Sequence, residues 1–192
     1  MNMKMIAAFL GAIFLCSLGL AQAPTQAPGK DEKKTISQVL DGSVKNVEGD
    51  FVPAAEAMPE EKYSFAPTNG EFKGVRTFAE QVKHVAASNY LIAAHILGEK
   101  PPVDANNGKG PDSMKSKADI LKYLKDSFAY AHQAVAAITD ANALEPIPTS
   151  DGKSKTTRLS LAMIFAWHGF DHYGQMVEYL RMDAIVPPAS RQ

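Results

Sequence analysis

Cysteine is nearly absent from these 192 residues, and the one present, Cys16, sits in an apolar stretch near the N-terminus. If that stretch is removed, the chain keeps no thiol, which excludes disulfides, Cys-ligated metals and a cysteine nucleophile. No Gly-rich nucleotide loop occurs, and no Gly-x-Ser-x-Gly elbow. The Glu-x-x-His pairs of di-iron bundles are missing too, because Gln81, Ile92, Ala129, Phe165 and Gly169 stand three residues before the five histidines. Charge of one sign is not in excess: without Lys4, 19 basic residues face 21 acidic ones, a net charge of −2. Nothing in that balance points to a nucleic-acid surface or an anionic-membrane surface, and neither partner is expected. Period-two alternation of useful length is also lacking, as is any internal repeat.

The one long apolar run is N-terminal. Met1 to Met5 carries Lys4, Ile6 to Leu20 is uncharged and mostly hydrophobic, and Ala21-Gln22-Ala23 offers small residues around a cleavage point. This is the layout of a signal peptide over residues 1–23, cut after Ala23. A retained anchor is disfavoured by the short run, and a lipoprotein at Cys16 by the bulky Phe14 and Leu15 before it. The expectation is an extracytoplasmic protein, periplasmic or secreted, with no stable membrane association once the signal is gone. Residues 24–34, rich in Pro and Lys, read as a disordered leader.

From Thr35 the pattern turns helical. Ile36, Leu40, Val44, Val47 and Phe51 recur at three- and four-residue steps, with Pro53 as a kink or an end. A loop over residues 59–74 leads to Thr77, which with Glu80 forms a capping box for a second helix to about Leu97, closed by Gly98. The Pro- and Gly-rich segment 99–115 is longer than an antiparallel pair needs, so helices two and three are expected not to be simple hairpin neighbours. Ser116 and Asp119 start a third helix over Ile120, Leu124, Ala131, Val135 and Ile138, and a loop over residues 140–155 leads to the last. His132 lies about 100° off the third helix's core face and is expected to be solvated. The fold class is all-α: a four-helix bundle with long crossover connections over residues 35–188, followed by a tail at 189–192.

The last helix is the most informative stretch. It reads as one long helix from Thr157 that stops at Pro187-Pro188. His168 and His172 lie four residues apart, hence on one face, in a stripe with Leu161, Phe165 and Tyr179. Leu159, Met163, Phe170 and Val177 form a second apolar stripe opposite, so the helix is expected to be buried on both sides. A buried imidazole must satisfy its nitrogens, and a shared cation does this for two or three rings together. The alternative is that each ring bonds a protein neighbour. Three imidazoles would leave a coordination position open for water, which suits zinc, with nickel, iron or manganese as competitors. Asp171 and Gln175, about 60° and 20° round from His168, are candidates to orient a ring or face a substrate. Tyr173, Tyr179 and Trp167 read as packing residues. Gly169 and Gly174 weaken the helix and signal a close helix approach or room for a ligand.

The segment His168-Gly-Phe-Asp-His172-Tyr-Gly-Gln175, with Val177 to Arg181 and Ile185 to Pro188, resembles the last helix of DinB-like proteins. Arg76 to His84, with Phe65-Ala-Pro67 upstream, resembles their second helix. The resemblance implies a bundle holding a divalent metal by one histidine of the second helix and two of the fourth, positions that His84, His168 and His172 match; His95 and His132 match none. Some relatives are thiol-dependent transferases or isomerases, while export argues against a low-molecular-weight thiol. Three classes of function remain: a metal-dependent transferase or hydrolase acting on an unknown small-molecule substrate, a non-catalytic metal- or ligand-binding bundle, and a purely structural bundle. Exposed helix faces leave a homodimer open.

Overall fold

The structure, a computed structural model, describes residues 33–191; the expected signal segment 1–23, its cleavage point and the leader up to residue 32 lie outside them. Four helices carry the architecture: α1 (Ile36–Ala57), α2 (Phe78–Leu97), α3 (Lys117–Ala136) and α4 (Arg158–Met182). Each starts on a hydroxyl that accepts a bond from a backbone N–H: Thr35, Thr77, Ser116 and Thr157. Thr35 with Gln38, and Thr77 with Glu80, complete reciprocal boxes. Gly98 ends α2 at φ +74°, a left-handed conformation that glycine adopts without strain. α1 continues through Pro53 to Ala57. Among the described residues no helix is long and apolar enough to cross a membrane.

In cross-section α1 packs on α3 and α4, and α2 packs on α3 and α4. The diagonal steps are therefore α1 to α2 and α3 to α4. α2 and α3 are neighbours, contrary to the expectation drawn from the long segment between them. That segment is spent on α2 itself. Gly110 lies against the Lys83 backbone, so closely that a Cβ there would stand 3.1 Å from the Lys83 carbonyl oxygen, and the Gly108 carbonyl reaches His84. α2 and α4 run antiparallel, since the Tyr179 hydroxyl donates to the Arg76 carbonyl at one end while Arg158 Nε donates to the Ile96 carbonyl at the other. The core is shared by all four helices and is built from Phe51, Phe78, Phe128 and Phe165 with Leu124, Met176 and Leu180.

Several further expectations are corrected. The 140–155 segment is not all loop: β1 (Pro146–Pro148) and β2 (Lys155–Thr157) form a short antiparallel hairpin with Ile147 opposite Thr156, too brief for alternation to reveal. α4 ends at Met182, before the prolines, because Ala184 turns left-handed at φ +61° while the Ile185 N–H donates to the Leu180 carbonyl. The second stripe of α4 is only half covered: Met163 at 56% and Phe170 at 40% are exposed while Leu159 and Val177 are half-buried, and Trp167 beside them is 59% exposed. Trp167 is thus not a packing residue, whereas Tyr179 is buried and stacks edge-on against Phe65. His132 is not simply solvated either. Its two nitrogens meet Asp41 at 2.6 Å and Glu48 at 3.0 Å, joining α3 to α1.

The two glycines of α4 separate cleanly. A Cβ on Gly169 would lie 2.5 Å from Cγ2 of the fully buried Val47, whereas one on Gly174 meets nothing within 4 Å. A β-branched valine in a helix has little χ1 freedom to retreat, so Gly169 marks where α1 and α4 touch. Gly169→Ala is expected to destabilise by about 1–2 kcal/mol, overpacking outweighing the gain in helix propensity, and Gly174→Ala to stabilise by about 0.5–1 kcal/mol. Denaturant titration of both variants checks this; equal shifts would remove the contact as the reason for Gly169.

Candidate functional site

α2 and α4 meet at three imidazoles. His84 comes from α2, and His168 and His172 from successive turns of α4. One ring nitrogen from each lies within 4.8 Å of the other two, and they are the one such group of His, Cys, Asp or Glu among the described residues placed to hold a metal ion. The ring centroids stand 5.1, 4.8 and 4.6 Å apart in edge-to-face pairs. His172 is buried while His84 and His168 are half-buried, so the cluster is reachable from one side. His95 and His132 lie outside it: His95 Nε2 faces the Pro148 carbonyl at 2.7 Å, and His132 stays between its two carboxylates.

The neighbours of the rings decide which nitrogens are free. His84 Nδ1 lies 2.5 Å from the Gly108 carbonyl oxygen. A carbonyl only accepts, so Nδ1 carries the proton and Nε2 the lone pair. The tautomer of His172 is set through three side chains, Asp171, Gln175 and Gln81. Asp171 only accepts, so the Gln175 amide turns its Nε2 to it, at 3.1 Å. Gln175 Oε1 then accepts from Gln81 Nε2 at 2.8 Å, leaving Gln81 Oε1 to accept from His172 Nδ1 at 2.6 Å. His172 therefore also keeps its lone pair on Nε2. Asp171 and Gln175, both exposed, act on the cluster through Gln81 rather than by touching a ring nitrogen. Gln81, 2% exposed, is the functional residue that sequence reasoning passed over. Its signal was present: three residues before His84, on the same face of α2, stands an amide where an apolar side chain would pack better.

His84 Nε2 and His168 Nε2 lie 3.1 Å apart. Two nitrogens each about 2.0–2.1 Å from one zinc ion at a tetrahedral angle stand roughly 3.3–3.4 Å apart, a spacing close to this one. Neutral imidazoles are what such an ion needs, and the surroundings favour them. Burial lowers His168 to about 4, assisted by the positive charge of His84 and Arg76 and opposed by Asp171. Burial likewise lowers His172 to about 4, helped by His168 and His84. His84 is lowered by burial and by Arg76, against its bond to Gly108. Lone pairs directed inward, neutral rings and an open side together suit a divalent cation with room for a further ligand.

The same shifts predict a pH dependence for protein stripped of metal. Between the ordinary histidine value of 6.5 and about 4, the unfolded chain takes up protons that the folded cluster refuses, so stability falls as pH drops through that window. The melting temperature of chelated protein should decline from pH 6.5 to 4, and His168→Gln should make the upper part of that decline shallower. An identical slope in the variant would contradict the depressed value.

Known proteins share this architecture. A family model described as the DinB superfamily matches residues 44–176, a span that runs from α1 into α4 and includes all three imidazoles. The DinB-like protein YjoA from Bacillus subtilis is similar in structure at 17% sequence identity and a TM-score of 0.60, with 80% of this chain and 99% of that one covered. YfiT from Bacillus subtilis, described as a probable metal-dependent hydrolase with an unusual four-helix bundle topology, is similar at 16% identity and a TM-score of 0.58, covering 83% of this chain and 94% of its own. At such identities these likenesses concern the fold. No curated protein matches the chain. With the family model matching well over half of its residues, the chain belongs to the DinB superfamily.

Proposed function

We propose that His84, His168 and His172 hold one divalent ion, zinc in preference to nickel, iron or manganese, and that the protein is an exported metal-dependent hydrolase. The observation that carries this reading is the convergence of the imidazoles, with Nε2 of His84 and His172 left unprotonated by Gly108 and Gln81. Three neutral nitrogen donors disfavour manganese, and three histidines with one open position are the ligand set of catalytic zinc. An ion held there supplies a Lewis acid and lowers the pKa of a bound water. The protein's own residues do the rest. Gln81 and Gly108 hold two rings in their binding tautomers. The half-buried edges of His84 and His168 leave a path for substrate. Arg76, whose charge is felt by all three rings, favours a substrate carrying negative charge. Hydrolysis is preferred to thiol transfer because YfiT is described as a probable metal-dependent hydrolase and because export removes the chain from the usual thiol pools.

Metal analysis of purified and reloaded protein tests the reading. One ion per chain is expected, and a chelator should lower the melting midpoint by about 5–10 °C, the effect of a ligand that binds only the folded state. His84→Ala should melt near chelated wild type and ignore chelator, Gln81→Met should weaken metal binding by about 10–100-fold, and His95→Ala and His132→Ala should keep full occupancy. Wild type that binds no divalent ion, or His84→Ala at full occupancy, would defeat the assignment. With metal loaded, turnover of ester or amide substrates without added thiol supports hydrolysis, while a strict thiol requirement places the protein among the transferases.

Export is proposed on Lys4, the apolar run and Ala21-Gln22-Ala23. N-terminal sequencing should find Pro24 first in an extracytoplasmic fraction. Intact Met1 on cytoplasmic protein would reject export.

A further inference from the structure

A cavity of about 680 Å³ opens between α2 and α4, separate from the imidazoles and within the size range of small-molecule sites. Its walls are mainly apolar, with Leu91 and Ile92 on α2 facing Leu161 and Ile164 on α4. β1 closes the outside, held to α2 where His95 Nε2 meets the Pro148 carbonyl at 2.7 Å.

The cavity and the imidazole cluster lie along the same pair of helices, α2 and α4. Leu91 lies seven residues after His84 and Leu161 seven before His168, which is two turns, about 10 Å, on each helix. Because the helices are antiparallel, both steps lead the same way. Ile164 is a single turn from His168. Gly108 bridges the interval, with its carbonyl on His84 and its Cβ position 3.9 Å from the Leu91 side chain. The far end is cationic. Arg158, the first residue of α4, is 24% exposed and is tethered by Nε to the Ile96 carbonyl at 3.3 Å and by Nη1 to the Asn142 carbonyl at 3.4 Å. Its one carboxylate partner is Glu145, itself 63% exposed and 3.4 Å away, a long contact for a charged pair. Among the described residues no acceptor meets Arg158 Nη2. The carboxylate on the lining, Glu99, accepts from the Tyr130 hydroxyl. A half-buried guanidinium with a free donor edge at the end of an apolar slot is a receptor for a carboxylate.

We propose that this cavity binds the body of the substrate, and that the substrate is an amphipathic carboxylic acid. Its acid sits on Arg158, its apolar chain or ring lies along Leu161, Ile164 and Leu91, and its reacting group reaches the imidazoles. Ten residues separate Arg158 from His168, so the acid and the reacting group stand about 15 Å apart. The placement of the reacting end rests on the metal reading above. Capture of the acid and the apolar body does not.

Calorimetric titration of the full chain with decanoate and with decanol, before and after chelation, tests the proposal. Decanoate should bind at one site in both states, about tenfold tighter than decanol, the difference of a single charge-assisted contact. Arg158→Gln should bring decanoate down to the decanol level and leave decanol unchanged. Ile164→Trp, which fills the slot at a half-buried position, should abolish both, and neither variant should change metal content. Failure of the chelated protein to bind decanoate, or equal binding by wild type and both variants, overturns the proposal. Decanoate binding intact in a protein that takes up no metal supports the cavity and strikes out the metal reading alone. Should Ile164→Trp fail to fold, Arg158→Gln still decides.

Discussion

The orientation of one buried amide governs the chemistry of the cluster. Gln81 is almost wholly enclosed between α2 and α4, and each end of its side chain has a single partner: its nitrogen donates to Gln175, and its oxygen accepts from His172. A buried amide left half-satisfied costs about 1–3 kcal/mol per unpaired group, so a flip of Gln81 would be penalised at both ends. The direction is set at the surface by Asp171, which can only accept. A carboxylate in water thus determines, through two amides, where the proton sits on a ring that is 5% exposed. The same logic is met more simply at His84, where a backbone carbonyl replaces the relay.

Packing supplies the positions at which those bonds can form. Gly169 lets α4 close onto Val47 of α1 one residue after His168, which fixes the depth of the imidazole stripe. On the other helix, the segment after α2 folds back along it. Gly110, in a left-handed conformation at φ +74°, lies against Lys83 and brings the Gly108 carbonyl over His84. A side chain at Gly110 would be strained in φ and would collide with Lys83. The connection is therefore long for a structural reason, and its glycines are part of the site.

Much of this was legible in the residues. The capping hydroxyls, Gly98 and the three- and four-residue apolar steps placed the helices, since local backbone chemistry suffices for that. His168 and His172 announced a shared face, and the resemblance of Arg76 to His84 to a second bundle helix singled out His84. What escaped was set by tertiary contact. Spacing cannot show that segment 99–115 lies along α2 instead of spanning to a distant helix, nor that Asp41 and Glu48 of α1 come round to His132. The outer stripe of α4 misled because Met163 and Phe170, like Trp167 beside them, are as apolar as core residues, although they stay exposed to solvent. Gln81 was missed because its one signal, an amide on the inner face of α2, gains meaning only from the buried partners Gln175 and His172.

X-ray absorption of the zinc-loaded protein tests the three-imidazole centre most directly. A first shell of three imidazole nitrogens at about 2.0–2.1 Å with one further light donor is the expected result, falling to two imidazoles in His84→Ala at any residual occupancy. A shell in the wild type with one imidazole or none, or one unchanged by removing His84, would contradict the assignment of these residues as ligands.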